Sequence, residues 1–178
     1  MINSRIELVE LILKLNLPPV AAEIGVAEGL FSRDLLNAGI KKLYSIDSWE
    51  QLEQTGDGGF TQKWHDMNYN SAVDLLKPFL DNSIILKGKS NEMAKHIMNN
   101  ELSLLYIDGD HSYDGVISDL NNYYEKVIPG GIISGHDYLN LDYGVNYAVR
   151  DFCKKMNLVS ITINENNIND ASFYIIKE

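Results

Sequence analysis

The chain has one cysteine, Cys153, so it can form no internal disulfide, and a reducing compartment is expected. Cys153 itself reads as a small buried apolar residue on a helix rather than as a nucleophile. Basic residues are scarce, 15 against 25 acids, for a net charge of −10. No Lys/Arg run is present to build a local patch, so nucleic acid is not an expected partner. No apolar stretch approaches the roughly 20 residues of a membrane span, so no membrane partner is expected either. The opening residues, Met1-Ile2-Asn3-Ser4-Arg5-Ile6-Glu7, include an acid where a signal peptide carries basic charge alone, and the expected location is cytoplasmic. Internal repeats and low-complexity tracts are missing. So is the Gly-x-Gly-x-x-Gly turn that cradles a pyrophosphate. With a hydrophobic content of 45%, the 178 residues are expected to form one domain with a full core.

In place of that fingerprint stands Glu23-Ile24-Gly25-Val26-Ala27-Glu28-Gly29. It follows the apolar run Val20-Ala21-Ala22 and precedes an amphipathic segment, Leu30 to Ala38. The pattern is strand, glycine-punctuated turn, helix. Gly25 would let the backbone turn sharply and approach a ligand, and Gly29 would let the helix begin close to it. An acid here suits a cationic amine better than phosphates. A tight turn without any ligand would carry the same signature.

Ser4-x-x-Glu7 is a capping-box pattern, and Leu8, Leu11, Ile12 and Leu15 then repeat at helical spacing. Leu43 to Ile46 reads as a second strand ending in Asp47. Asp47 lies roughly twenty residues past the glycine turn, where a carboxylate accepts hydrogen bonds from ribose hydroxyls in nucleoside-binding sheets. A cap or turn role is the plainer alternative. Glu50 to Gly59, with Gly56, Gly58 and Gly59, reads as a mobile loop, either a lid or a surface insertion. A short helix at Phe60 and Trp64 and a second from Asn70 to Phe79 are expected next.

Ser83 to Leu86 is a third strand, and Gly88-Lys89-Ser90-Asn91-Glu92 turns into a helix bearing Met93, Ala94, Ile97 and Met98, with Ser90 as N-cap. Leu104 to Ile107 is a fourth strand without polar alternation, as suits a parallel strand buried on both faces. It ends in Asp108-Gly109-Asp110-His111. An amphipathic helix from Tyr113 follows, broken by Pro129-Gly130-Gly131. Ile132 to Gly135 is the fifth strand, ending in His136-Asp137-Tyr138. A helix from Val145 to Met156 leads to a hairpin of Val159 to Ile163 and Ser172 to Ile176 through an Asn-rich turn.

Strands separated by helices demand a parallel sheet. The expected fold is α/β, a doubly wound Rossmann-like sheet, mostly parallel, with a C-terminal antiparallel hairpin. Residues 1–19 form an N-terminal helix and linker, and 20–178 form the core. The polar strand ends converge where such sheets bind ligands.

Ile107 to Tyr113 spells Ile-Asp-Gly-Asp-His-Ser-Tyr, Pro129 to Gly131 spells Pro-Gly-Gly, and Gly135 to Tyr138 spells Gly-His-Asp-Tyr. On these motifs the chain resembles a small family of class I S-adenosylmethionine-dependent methyltransferases related to metal-dependent O-methyltransferases. The resemblance covers roughly Ala21 to the C-terminus. It implies that Glu23, Gly25 and Gly29 surround the methionine part of the cofactor. It implies that Asp47, with Ser48 beside it, binds the ribose, and that Ser90 borders the adenine. Asp108 matches a cofactor-side acid that ligates a divalent cation in the metal-dependent relatives, and Asp137 matches their second metal acid. Tyr138 stands where those relatives have another Asp or Asn, which leaves His136 or His111 to complete a metal site.

Methyl transfer needs the acceptor positioned and its proton removed. His111 is the expected base because histidine titrates near neutral pH, with Asp110 second. The plainer readings are a helix-start histidine and a capping aspartate. Tyr113 and Tyr138 either line the acceptor pocket or pack on the sheet, and Trp49 either covers the adenine or is a surface aromatic. The expected activity is methyl transfer from S-adenosylmethionine to a small-molecule hydroxyl, with Mg2+ or another divalent cation as possible helper. Its rivals are a cofactor-binding module without turnover and a nicotinamide-dependent dehydrogenase. The acceptor and the oligomeric state, a homodimer included, stay open.

Overall fold

The computed structural model describes residues 2–51, 60–163 and 171–178. In chain order the elements are α1 (Glu7–Lys14), β1 (Val20–Ile24), α2 (Leu30–Ala38), β2 (Lys42–Asp47), α3 (Gln62–Leu76), β3 (Ser83–Lys87), α4 (Ser90–Met93), β4 (Leu102–Ile107), α5 (Tyr113–Tyr123), β5 (Val127–Gly135), α6 (Val145–Met156), β6 (Ser160–Ile163) and β7 (Ser172–Ile176). No helix among the described residues is long and apolar enough to cross a membrane.

The seven strands form one sheet in the order β3-β2-β1-β4-β5-β7-β6. β1 to β5 run parallel, whereas β7 is antiparallel to both β5 and β6. β4 is buried along its whole length, as its unbroken apolar run predicts. Alternation along the strand divides its side chains between two cores. Leu105 and Ile107 pack with Leu120 of α5 and Phe152 of α6, while Leu104 and Tyr106 pack with Leu8 and Ile12 of α1 and Leu35 of α2. Each such burial is worth about 1.5–3 kcal/mol. β1 lies between β2 and β4, so the winding reverses there. That reversal opens a crevice beyond the C-terminal ends of β1 and β4.

Four local expectations are corrected. The two helices expected around Phe60 and from Asn70 are one, α3, begun by Thr61, whose Oγ1 accepts the Trp64 N–H at 3.3 Å. No Gly or Pro lies between Trp64 and Asn70 to interrupt it. Ser90 is the first residue of α4 rather than its cap, which is Lys89. Pro129-Gly130-Gly131 lies inside β5, because α5 has already ended at Tyr123. The β4–β5 ladder shifts register between Leu102 and Leu104, which leaves room for a proline without an N–H. α1 has no side-chain cap, and Glu7 instead accepts from the Asn3 N–H at 3.0 Å and the Ser4 hydroxyl at 3.4 Å. In the C-terminal pair it is β7 that joins the sheet, leaving β6 at the edge. The expected Asn-rich turn, residues 164–170, and positions 52–59 of the expected mobile loop fall outside the described residues.

Candidate active site

A cavity of about 610 Å³ occupies the crevice. Gly25, Asp47, Ser48, Ser90, Asp108, Asp110 and His111 all contribute to its wall, as the strand-end argument expects. Among the described residues, Glu23, Gly29, His136 and Asp137 do not.

The glycine turn is shaped by its neighbours as much as by a ligand. Gly25 has φ +86°, and a Cβ on it would fall 1.9 Å from the Asp108 carbonyl oxygen. The backbone leaving β4 therefore demands the glycine. Gly29 has φ +84°, and its Cβ would stand 3.2 Å from the Cα of Ala72 on α3, so it serves helix packing. Glu23 is 2% exposed and accepts a hydrogen bond from the Ser32 hydroxyl of α2. Burial pushes its carboxyl up to about 8, outweighing the Ser32 hydrogen bond. Alternation along β1 turns Glu23 toward α2, away from the cavity, so the expectation that it meets a ligand amine is not met by this geometry.

Asp47 ties the turn to β2. Its Oδ2 accepts the N–H groups of Val26 and Ala27 at 2.9 and 3.0 Å, and its Oδ1 accepts that of Trp49 at 2.8 Å. A carboxylate offers about four acceptor positions, so one remains for the cavity. Ser48 stands next to it on the wall. Trp49 is fully buried rather than a surface aromatic. Its indole N–H donates to the Ala27 carbonyl at 2.9 Å, and its ring meets Tyr69 edge-on at 5.0 Å.

α3 supplies a wall that the sequence reading missed. Trp64, His65 and Asn68 face the cavity, and Phe60 stacks on Trp64 at 4.0 Å. Asn68 is 4% exposed, yet its Nδ2 has no hydrogen-bond partner among the described residues. The available signal was spacing, since Trp64, Asn68 and Ala72 repeat every fourth residue on one helical face.

At the opposite wall the Ser90 hydroxyl donates to Asp119 Oδ1 at 2.5 Å, and the Tyr123 hydroxyl donates to the Ser90 carbonyl at 2.7 Å. Asp119 is 3% exposed, and burial pushes its carboxyl up to about 6 despite that bond. It too was overlooked, although an acid beside Leu120 on the inner stripe of α5 marks it.

The strand ends of β4 and β5 bring a second group together. His111 Nε2 lies 3.4 Å from Asp108 Oδ1 and 3.2 Å from Asp137 Oδ2. His136 Nδ1 lies 3.1 Å from that same Asp137 oxygen and 4.0 Å from Asp108 Oδ1. Arg5, from ahead of α1, reaches within 3.7 Å of Asp108 Oδ2 and lies over the Phe31 ring at 4.4 Å. Asp137 holds φ +55°, a left-handed conformation that aspartate tolerates and that recurs at functional sites. Burial alone would lower the His136 pKa, but Asp137 and Asp108 outweigh it and raise it. Burial alone would raise the Asp137 carboxyl, and His136 and His111 instead bring it down.

Asp108, His111 and Asp137 can each direct one ligand atom into a space no more than 4.8 Å across. Two carboxylates and an imidazole suit a divalent transition cation such as Mn2+ better than Mg2+, which prefers oxygen alone. Of the two histidines expected as third ligand, His111 belongs to this candidate trio, and His136 stands beside it. Nε2 of His111 cannot both ligate a cation and accept a proton. Asp110 lines the cavity and accepts the Ser112 N–H at 2.9 Å, but it is not the cap of α5, which is Ser112, accepting the Gly115 N–H at 3.1 Å. Tyr113 pairs with Asp151 and Tyr138 with Ser160, and neither reaches the cavity wall.

Solved structures share this architecture. The O-methyltransferase NovP superposes with a TM-score of 0.69 at 21% identity, over 97% of this chain and 77% of that one. The O-methyltransferase TomG from Streptomyces achromogenes, involved in tomaymycin synthesis and solved with S-adenosylmethionine, gives 0.67 at 15%, over 98% and 80%. An O-methyltransferase from Bacillus cereus in complex with S-adenosylhomocysteine gives 0.65 at 12%, over 98% and 82%. At these identities the likeness establishes the fold. An uncharacterised protein of Acanthamoeba polyphaga mimivirus is 51% identical over 39 residues, which span 22% of this chain and 18% of that protein. The family model described as a methyltransferase domain matches residues 22–138, from the glycine turn through Asp47, Ser90 and Asp108 to the end of β5. The chain belongs to that methyltransferase-domain family.

Proposed function

We propose that the protein transfers a methyl group from S-adenosylmethionine to a hydroxyl of a small molecule, assisted by a divalent cation. One observation carries this reading. Asp47 and Ser90, the residues expected at the nucleoside, share a single cavity wall with Asp108 and His111, two of the three candidate cation ligands. The fit is chemical as well. The cavity volume lies within the range of small-ligand sites, and Asp47 keeps an acceptor position open. O-directed transfer draws support from NovP, TomG and the Bacillus cereus protein, each described as an O-methyltransferase. A small acceptor is favoured over nucleic acid by the net charge of −10.

When bound, S-adenosylmethionine supplies a methyl group already activated on a sulfonium. The protein's task is then to hold an acceptor oxygen in line and lower its proton affinity. A cation held by Asp108, His111 and Asp137 would stabilise an acceptor oxyanion beside them. His136 balances the charge of Asp137 at one side of the cluster, and Arg5 balances that of Asp108 at the other. Phe60 and Trp64 offer an apolar rim that limits water.

Calorimetry with S-adenosylhomocysteine, followed by methyl transfer to a panel of phenols, catechols and sugars, tests this. Binding and a turnover that EDTA abolishes and Mn2+ restores are the expected results. Absence of binding at millimolar concentration would end the reading. Binding without transfer to any hydroxyl would favour a cofactor-binding module.

A further inference from the structure

The inner face of α5 carries an acid that the transfer step leaves unused. Gly115, Ser118 and Asp119 face the cavity together, spaced three and four residues apart on one side of the helix. Two of them are small, so that face is a flat slot. The third is an acid that is almost wholly buried. Its Oδ1 is held by the Ser90 hydroxyl, and its Oδ2 accepts no hydrogen bond among the described residues. Asp119 lines the cavity, so a carboxylate oxygen without a protein donor is available there to a ligand donor. Tyr123 clamps the same Ser90 through its carbonyl, so the acid's position is fixed from two sides.

We propose that Asp119 reads the 6-position of the cofactor's purine, its Oδ2 accepting a hydrogen bond from the adenine amine. This rests on the cofactor reading above. With the ribose at Asp47 and the sulfonium toward Asp108, the base reaches the turn after β3, where Asp119 meets Ser90. Adenine presents an N–H donor at that position, and hypoxanthine presents a carbonyl acceptor. An open carboxylate oxygen accepts from the first and repels the second. Burial holds the carboxyl near 6, so at pH 8 the group is an acceptor.

The test compares S-adenosylhomocysteine with its deaminated analogue, S-inosylhomocysteine, by calorimetry at pH 8. The wild-type protein should prefer the adenine compound by roughly tenfold or more. Asp119→Asn keeps an acceptor for Ser90 and turns an amide donor toward the cavity, so it should reverse or erase that preference. Asp119→Ala should erase it. The ratio of two affinities from one sample is insensitive to a partial loss of folded protein. If the variants weaken both compounds equally, or keep the wild-type ratio, Asp119 only positions Ser90 and the inference is overturned. A wild-type protein that binds neither compound overturns the cofactor reading and this inference with it.

Discussion

Asp47 Oδ2 accepts the backbone N–H of Val26 at 2.9 Å, so the end of β2 fixes the conformation of the turn after β1. Counting Ala27 and Trp49, the carboxylate holds three backbone amides. Asp47→Ala is therefore expected to lower stability by about 1–3 kcal/mol as well as to weaken S-adenosylhomocysteine roughly tenfold. Thermal melting and calorimetry on the same preparation check both. An unchanged affinity would remove the ribose assignment, and an unchanged melting temperature would remove the structural one.

Gly25→Ala should be far more damaging. The added methyl carbon would sit 1.9 Å from the Asp108 carbonyl oxygen, at a φ of +86°. Both strain and overlap act against it, and a loss exceeding about 3 kcal/mol is expected. Urea unfolding measures it. A variant as stable as the parent would mean that β4 and the turn can separate without cost.

Glu23 makes stability depend on pH. Its carboxyl is raised to about 8 in the folded chain from an ordinary 4.5. Across that window the folded state keeps a proton that the unfolded state releases, so this group's contribution falls as pH rises from 4.5 and levels off above about 8. Glu23→Gln retains an acceptor for Ser32 and cannot ionise. It should flatten the slope and exceed the parent at pH 8 by on the order of 2 kcal/mol. Melting curves at pH 5, 7 and 8.5, chosen to bracket the roughly neutral centre of that window, decide the matter. Parallel curves for both proteins would show that Glu23 ionises freely when folded.

His111→Ala and Asp137→Asn should each reduce Mn2+ affinity by about tenfold or more, since each removes one of three candidate ligands. Neither should disturb S-adenosylhomocysteine affinity in the absence of metal by more than about threefold. Electron paramagnetic resonance of free Mn2+ reads the first and calorimetry the second. His136→Ala, whose residue stands outside the trio, should bind Mn2+ within a few-fold of the parent.

Period and punctuation in the sequence suffice for the parallel sheet, its order of helices and strands, and the convergence of Asp47, Ser90, Asp108 and His111. Each of those residues ends a strand or begins the turn after it, and topology then dictates their meeting. What escaped the sequence depends on through-space contacts. Gly25 looks like a ligand-facing glycine until the backbone of Asp108 is placed against it. Glu23 looks like a ligand-facing acid until alternation along β1 aims it at Ser32. Asn68 and Asp119 lie within helices, where a polar residue on the inner face resembles ordinary patterning unless the cavity is known. His111 and His136 stand 3.4 and 4.0 Å from Asp108 Oδ1, a difference that spacing along the chain does not encode.

Both tryptophans of the chain, Trp49 and Trp64, stand in the wall of the same hollow. One is hidden from solvent and tethered to the glycine turn, and the other is stacked on Phe60 at the rim. Ultraviolet emission from this protein thus originates where the chemistry is expected, with no silent background from distant indoles. A stopped-flow fluorimeter, without dye or label, has a built-in lamp on the site.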